Sequence, residues 1–306
     1  MRERIEELVA DPAVTDILLS ASTGIWCDRG RGLEQEPVLH CSESLVRELA
    51  SELIGLGGRH LDLAHPYMDV RLTGGIRVHA VLSPVASSGT VLSIRISRRH
   101  LVTWESLRES QMLTQVQARR LKAAVEQKQT LLITGASGAG KTSLLSVLLS
   151  HVPSHERIVV LEDVAELQIS HPHVVCLEAQ QPNIEGVGGV SVEMLVPQAL
   201  RMRADRLVLG ECRGGEIAPL LAALNTGHRG GGMTLHANSL DEIPARLGLL
   251  GFMAGMNAEL VNAAVQGACD LVVHIERSED GSRRIQLGEF TQEQGQLVVA
   301  SLTDCG

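Results

Sequence analysis

The sequence predicts an α/β protein in two parts: a smaller α+β domain, then a larger domain with a mostly parallel sheet. Three observations predict it. Beyond residue 130, apolar strand-like runs alternate with apolar helical stretches, the pattern of a parallel sheet covered on both faces. Before residue 110, short strand-like runs are punctuated by hairpin turn signals, the pattern of an antiparallel sheet. Between an apolar strand and an apolar helix, residues 135–142 form a glycine-rich turn ending in Lys141-Thr142.

In the first part, strand-like pairs occupy Asp16–Ala21 and Gly24–Asp28, and a helix runs from about Glu43 to Leu56. Strands follow at Tyr67–Leu72, Gly75–Leu82 and Thr90–Ser97, with Leu72-Thr73-Gly74-Gly75 as a hairpin turn signal and Ser87-Ser88-Gly89 as a connection. A polar helical stretch from about Trp104 to Lys128 contains the joint, and the boundary is expected near residue 110. The second part, 111–306, begins with the strand Thr130–Thr134 and the helix Lys141–Ser150. Strands Arg157–Leu161 and Val174–Leu177, the helix Val192–Met202, the strand Arg206–Leu209, the helix Glu216–Leu224 and the strand Met233–Leu235 follow. Ser239 with Glu242 three residues on reads as a capping box. Asp270–Glu276 and Arg284–Phe290 flank Asp280-Gly281 as a β-hairpin.

A hydrophobic fraction of 44% over 306 residues is enough for two cores. With two Trp, one Tyr and two Phe, those cores are aliphatic, and the scarcity of rings argues against a stacking platform for single-stranded nucleic acid. A net charge of −9 gives no global attraction to DNA or anionic lipid, so direct nucleic-acid binding is not expected. The six cysteines (Cys27, Cys41, Cys176, Cys212, Cys269 and Cys305) lack zinc-ribbon spacing and read as reduced thiols. The charged start, MRERIEELVADP, is not secretory in pattern, and no apolar run approaches the ~20 residues of a bilayer span. A soluble, cytoplasmic protein is expected, held at a membrane only through others.

Gly135-Ala136-Ser137-Gly138-Ala139-Gly140-Lys141-Thr142 satisfies G-x-x-x-x-G-K-[ST], with Ser143 continuing into the helix. Glycines let the backbone curl so that successive N–H groups point at phosphate oxygens, and the helix N-terminus adds partial positive charge. Lys141 is expected on the β- and γ-phosphates of ATP, and Thr142 on Mg²⁺. Hydrolysis also needs acids for the metal shell and for the attacking water. Glu162-Asp163 after IVVL and Glu211 after LVLG stand at strand ends, where such sheets bind ligands. Which glutamate is the base is left open. Asp205 precedes its strand and belongs to the other edge. His228 and His236 bracket a glycine-rich segment; their spacing and the absence of a Cys partner fit no zinc site. Composition alone favours hydrogen-bonded loop residues.

The order of these motifs resembles the ATPases of type II and type IV secretion, pilus assembly and DNA uptake. That family has a P-loop, an acidic box, a Walker B ending Gly-Glu and a histidine box. Here they are GASGAGKT (135–142), LEDVAEL (161–167), LRMRADRLVLGECRGGE (200–216) and TGHRGGGMTLHAN (226–238). The tight-adherence pilus branch is most similar, through Gln181-Pro182-Asn183-Ile184-Glu185-Gly186 and, in the first part, Thr15-Asp16-Ile17, Pro66–Leu72, Gly75–Ala80 and Leu92–Arg95. Arg203-Ala204-Asp205 departs from the usual Arg-Pro-Asp, Met233-Thr234 from the usual Ser-Thr, and the longer N-terminal extension of many relatives is absent.

The resemblance implies a RecA-like second domain, a PAS-like first domain and a homo-hexameric ring with ATP between the domains of a subunit. Arg71, Arg77 and Arg95 would reach the nucleotide from the first domain, in cis or across a subunit boundary. His236 would lie near the γ-phosphate and His228 in a switch or interface role. Glu162 and Glu211 would complete the site and the metal shell, with Arg213 and Arg201 coupling it to a neighbour. The partners implied are inner-membrane pilus or secretion platform proteins. A motor of DNA transfer, a nucleotide-gated assembly factor and a small-molecule kinase are the other readings.

Overall fold

The computed structural model describes residues 1–37, 41–96, 102–109, 112–180, 182, 187–278 and 282–302. Two compact units result: Met1–His100 with Pro182–Val187, and Leu101–Gln181 with Gly188–Gly306. Residue 110, the expected boundary, lies outside the described residues. The helix just before it belongs to the second unit, because Trp104 and Leu107 are buried in one cluster with Leu121 and Leu144.

The first unit is an antiparallel sheet with helices. Its elements are α1 (Arg2–Ala10), β1 (Asp16–Ser20), β2 (Gly24–Asp28), β3 (Leu33–Glu36), α2 (Glu43–Leu56), β4 (Tyr67–Leu72), β5 (Ile76–Val81) and β6 (Val91–Ile96). The strand order is β3-β2-β1-β6-β5-β4. Val46, Leu49, Ala50 and Ile54 repeat at helical spacing along α2, and bury with Ile17, Val78, Ala80, Leu92 and Ile94 of the strands. Ser42 caps α2 by accepting a hydrogen bond from the Leu45 N–H. Strand β3 was not expected, because Leu-Glu-Gln-Glu shows no apolar alternation. Its Glu36 is buried against the Cys27 thiol, Arg4 and Arg29, which hold the carboxyl down at about 2.

The second unit contains α3 (Trp104–Glu109), α4 (Gln115–Glu126), β7 (Leu131–Gly135), α5 (Lys141–Leu149), β8 (Ile158–Glu162), β9 (Val174–Glu178), α6 (Val192–Leu200), β10 (Arg206–Leu209) and α7 (Ile217–Asn225). Then come β11 (Gly232–His236), α8 (Ile243–Met253), α9 (Ala258–Ala268), β12 (Leu271–Arg277), β13 (Arg283–Glu293) and β14 (Gln296–Ser301). The strand order is β14-β13-β12-β7-β11-β10-β8-β9. Neighbours from β12 through β9 pair in parallel, and β13 and β14 extend the edge antiparallel. Helix α5 is apolar all round because it is enclosed by the sheet and α4.

Three expectations need correction. The stretch from Trp104 to Lys128 is two helices, since Thr114 forms a capping box with Gln117 and starts α4 afresh. Glu242 accepts from the backbone and side chain of Asn238, not from Ser239, so α8 begins only at Ile243. The edge strand β14 was not anticipated. The Asp280-Gly281 turn and the segment 183–186 lie outside the described residues. Among the described residues, no single helix is long and apolar enough to cross a membrane.

Candidate active site

The site is built where four neighbouring strands end. Gly135 closes β7, His236 closes β11, Gly210-Glu211 follows β10, and Glu162 closes β8. The sheet order sets these ends side by side, about 4.8 Å apart per strand. Residues more than a hundred positions apart thereby become neighbours at the carboxyl edge of the sheet.

The phosphate loop has the backbone its sequence implies. Gly135, Gly138 and Gly140 hold φ values of 151°, 70° and 101°, a region L side chains rarely adopt. A Cβ on Gly135 would also stand 2.6 Å from the Ile275 carbonyl oxygen. Ala136, Ser137 and Gly138 are exposed at the tip, Ala139 is buried, and Thr142 and Ser143 begin α5 with Gly140 as its N-cap. The loop N–H groups and the first turn of α5 thus share one end of the helix.

Lys141 is buried, and its Nζ donates to the carbonyls of Gly135 at 3.0 Å and Ala136 at 2.9 Å. The same Nζ lies 3.2 Å from Nδ1 of His236. Burial lowers the lysine pKa, and the Glu211 carboxylate opposes that shift. His236 is the register partner of Gly135. Its Nε2 lies 2.6 Å from Oε1 of Glu211, and the other oxygen of Glu211 is bound by Arg213. An ammonium only donates, so Nδ1 of His236 accepts and the ring proton sits on Nε2, although the nearby Glu211 Oε1 makes no aligned hydrogen bond with it. Burial and the Lys141 charge push the histidine pKa down, which keeps the ring neutral.

Glu162 is 3% exposed. Its Oε1 accepts from the Glu166 and Leu167 N–H groups at 2.9 Å each, and its Oε2 is buried without a hydrogen-bond partner. Burial raises the carboxyl to about 7 against those two hydrogen bonds. A Cβ at Gly210 would meet Glu162 Cγ at 2.6 Å, so the glycine before Glu211 clears room for the Glu162 side chain. The Gly-Glu ending of β10 therefore has a packing cause.

Arg71 on β4, Arg77 on β5 and Arg95 on β6 form one cross-strand row of the first unit. Like charges directly opposite are unfavourable unless countered. Asp69 answers part of this, holding Arg77 Nε with both oxygens at 3.0 Å.

Not every expected residue joins the cluster. His228 precedes β11 while His236 ends it, so most of the strand, at about 3.3 Å per residue, separates them. His228 therefore sits at the opposite edge of the sheet from the phosphate loop and does not serve this chain's catalytic cluster. Asp205 accepts from the Arg157 N–H at that same opposite edge, as expected. Arg201 is exposed and bonds the Pro197 carbonyl of its own helix. Arg213 does meet the cluster, through Glu211. Sequence reasoning missed Arg283, whose guanidinium reaches the Gly138 carbonyl at 3.5 Å and lies 3.2 Å from where a Gly140 Cβ would be. Its place at the start of β13 next to the loop depends on strand order, which local sequence does not carry.

A family model described as type II/IV secretion system protein matches residues 2–300. The chain belongs to that family. Among relatives, a Mycobacterium tuberculosis protein provisionally named a conjugal transfer protein is 41% identical over 97% of this chain and 87% of its own length. The type IV secretion system protein PtlH of Bordetella pertussis is 31% identical over 89% of this chain and 88% of its own. The fold is shared with the Legionella pneumophila ATPase DotB, at TM-score 0.63, 19% identity and coverage of 94% and 79%. It is also shared with the pilus retraction motor PilT, at 0.62, 18%, 98% and 83%. The second unit has the α/β fold of those solved chains, a mostly parallel sheet behind a phosphate loop.

Proposed function

We propose that the chain is the motor of a tight-adherence pilus or related secretion machine. It works as a homo-hexameric ring on ATP with Mg²⁺, held at the cytoplasmic membrane by platform proteins. The observation that carries the reading is the row Gly135, His236, Glu211 and Glu162 on four adjacent strand ends beside Lys141.

In this reading Lys141 and the loop N–H groups bind the β- and γ-phosphates. Glu162 is the general base. Its unpartnered Oε2 is free to accept a proton from water, and a carboxyl poised near 7 suits that task. Glu211 and Arg213 hold His236, and its neutral ring faces the γ-phosphate. Arg71, Arg77 and Arg95 neutralise charge that develops on the transferred group, in cis or from a neighbour. Arg283 contacts the nucleotide from the loop's far side. His228 acts at an interface.

Among the described residues, no group of three or more His, Cys, Asp or Glu is arranged to hold a metal ion. Mg²⁺ suits such a site, since it binds through few protein groups and mainly through phosphates and water. The Thr142 hydroxyl, with Glu162 or Glu211 through water, would hold it, and it would supply neutralising charge to the phosphates.

Lys141→Ala tests the reading. Folding retained with hydrolysis abolished is the expected result; hydrolysis at the wild-type rate overturns it. A second reading, a DNA-transfer motor, is favoured by the conjugal-transfer names of relatives, including TrbB of Rhizobium radiobacter. The net charge of −9 argues against direct DNA grip. Salt-sensitive DNA binding by the pure protein would support it.

A further inference from the structure

We propose that Ser146 is a positioning residue for ATP hydrolysis and acts through Glu162. It lies on α5, five residues after Lys141, and is 8% exposed. Its buried neighbours along the helix, Leu144, Leu145, Val147, Leu148 and Leu149, are all apolar. A buried hydroxyl in such a helix is unfavourable unless it is matched. Here its Oγ accepts from the Gln168 N–H at 3.0 Å.

Gln168 belongs to a strap, residues 165–170, that follows β8 without a helix or strand of its own. Its N–H groups therefore need acceptors from elsewhere. Those of Glu166 and Leu167 go to Glu162 Oε1 at 2.9 Å each, that of Gln168 to Ser146, and that of Ser170 to Ser150 Oγ at 2.9 Å. Ser146 and Ser150 stand one turn apart on α5, and the Ser150 hydroxyl donates to the Ser146 carbonyl at 2.8 Å. Adjacent peptide groups of one strap thus join Glu162 to the helix that carries Lys141. On another side Glu162 is walled by Gly210, where a Cβ would come within 2.6 Å of its Cγ. Held by Oε1 in this way, the carboxylate keeps Oε2 as its unpartnered oxygen.

The tie has a direction of effect. Loss of the Ser146 hydroxyl takes the acceptor from Gln168 and loosens the strap beside the two N–H groups that orient Glu162. Lys141 and the loop N–H groups stay in place, because the glycine backbone and the first turn of α5 fix them, more than a turn away from Ser146. Helix α5 is not weakened by alanine, a better helix former than serine. A misplacement of about 1 Å at the reacting groups can cost about a hundredfold in rate, so a partial loosening is read in kcat. A serine with only a packing role would instead change stability without reference to Glu162.

The inference rests on the proposed role of Glu162 as the base, and the test separates the two. Ser146→Ala is made in the wild type and in Glu162→Asp, whose carboxylate is drawn back from the strap by one methylene. Hydrolysis is followed on radiolabelled ATP. The expected result is a fall in kcat of about tenfold in the wild-type background with KM for ATP within about twofold, and almost no further fall in Glu162→Asp. An equal fall in both backgrounds, or no fall in the wild type, overturns the positioning role. Hydrolysis at the wild-type rate by Glu162→Gln would instead overturn the reading of the base, and the positioning role with it. Should Ser146→Ala not fold, Ser150→Ala takes its place in the same cycle. It frees the Ser170 N–H of the same strap, so a smaller fall of about threefold with the same dependence on Glu162 is expected, and an equal or absent fall in both backgrounds again overturns the proposal.

Discussion

Lys141 Nζ and His236 Nδ1 lie 3.2 Å apart, joining the phosphate loop to the histidine box across neighbouring parallel strands. The contact fixes the tautomer of His236 and leaves its proton on Nε2, the nitrogen nearest Glu211. His236→Ala is therefore expected to lower kcat while nucleotide affinity changes little, because the loop N–H groups and Lys141 remain. Nucleotide titration beside steady-state rates checks this; loss of affinity with kcat unchanged would contradict it.

Glu162 gives a pH signature. Its folded carboxyl titrates at about 7, above the unfolded value of 4.5, so the folded state binds the extra proton. Its contribution to stability is complete below about 4.5 and is lost as pH rises through about 7. Glu162→Gln is expected to flatten this part of the pH dependence in thermal melts. As the base, Glu162 also predicts hydrolysis rising with pH through about 7 in the wild type and abolished in the Gln variant.

Arg206 is fully buried and is bound by Glu156 at 2.5 Å and by the carbonyls of Gly230 and Val125 at 2.8 and 2.9 Å. Arg206→Ala leaves two carbonyls without this donor and Glu156 with Lys128 alone, at 3.3 Å, at a cost of about 3 kcal/mol. Denaturant titration reads this directly; a change below about 1 kcal/mol would mean the pocket relaxes or admits water.

Gly231 is set by close approach. A Cβ there would lie 1.6 Å from the Leu207 carbonyl oxygen. Gly231→Ala must push β11 off β10, and with it His236. The expected result is a destabilised protein with hydrolysis lost even under conditions where it remains folded, read by melts and rates on the same sample.

Much of this site was legible because its chemistry is local. The phosphate loop, Glu162 after its strand and Glu211 after its own each announce themselves within about ten residues, and the motif order carried the family. The arginine row was legible only as three strand residues. That Arg71, Arg77 and Arg95 stand directly opposite one another is a matter of register, which hairpin geometry sets. Spacing alone did not separate His228 from His236, because it does not reveal that a strand lies between them; only the family resemblance gave them different roles. Strand β3 was missed for want of alternation, and Arg283 because its neighbours in the phosphate loop are distant in sequence.

The most direct measurement is the hydrolysis rate per subunit against protein concentration, with mass by light scattering in the same samples and Arg77→Ala beside the wild type. The proposed ring motor predicts a rate that rises as hexamers form and is lost in Arg77→Ala without loss of fold. A concentration-independent rate in a monomer, unchanged in the arginine variant, would contradict it.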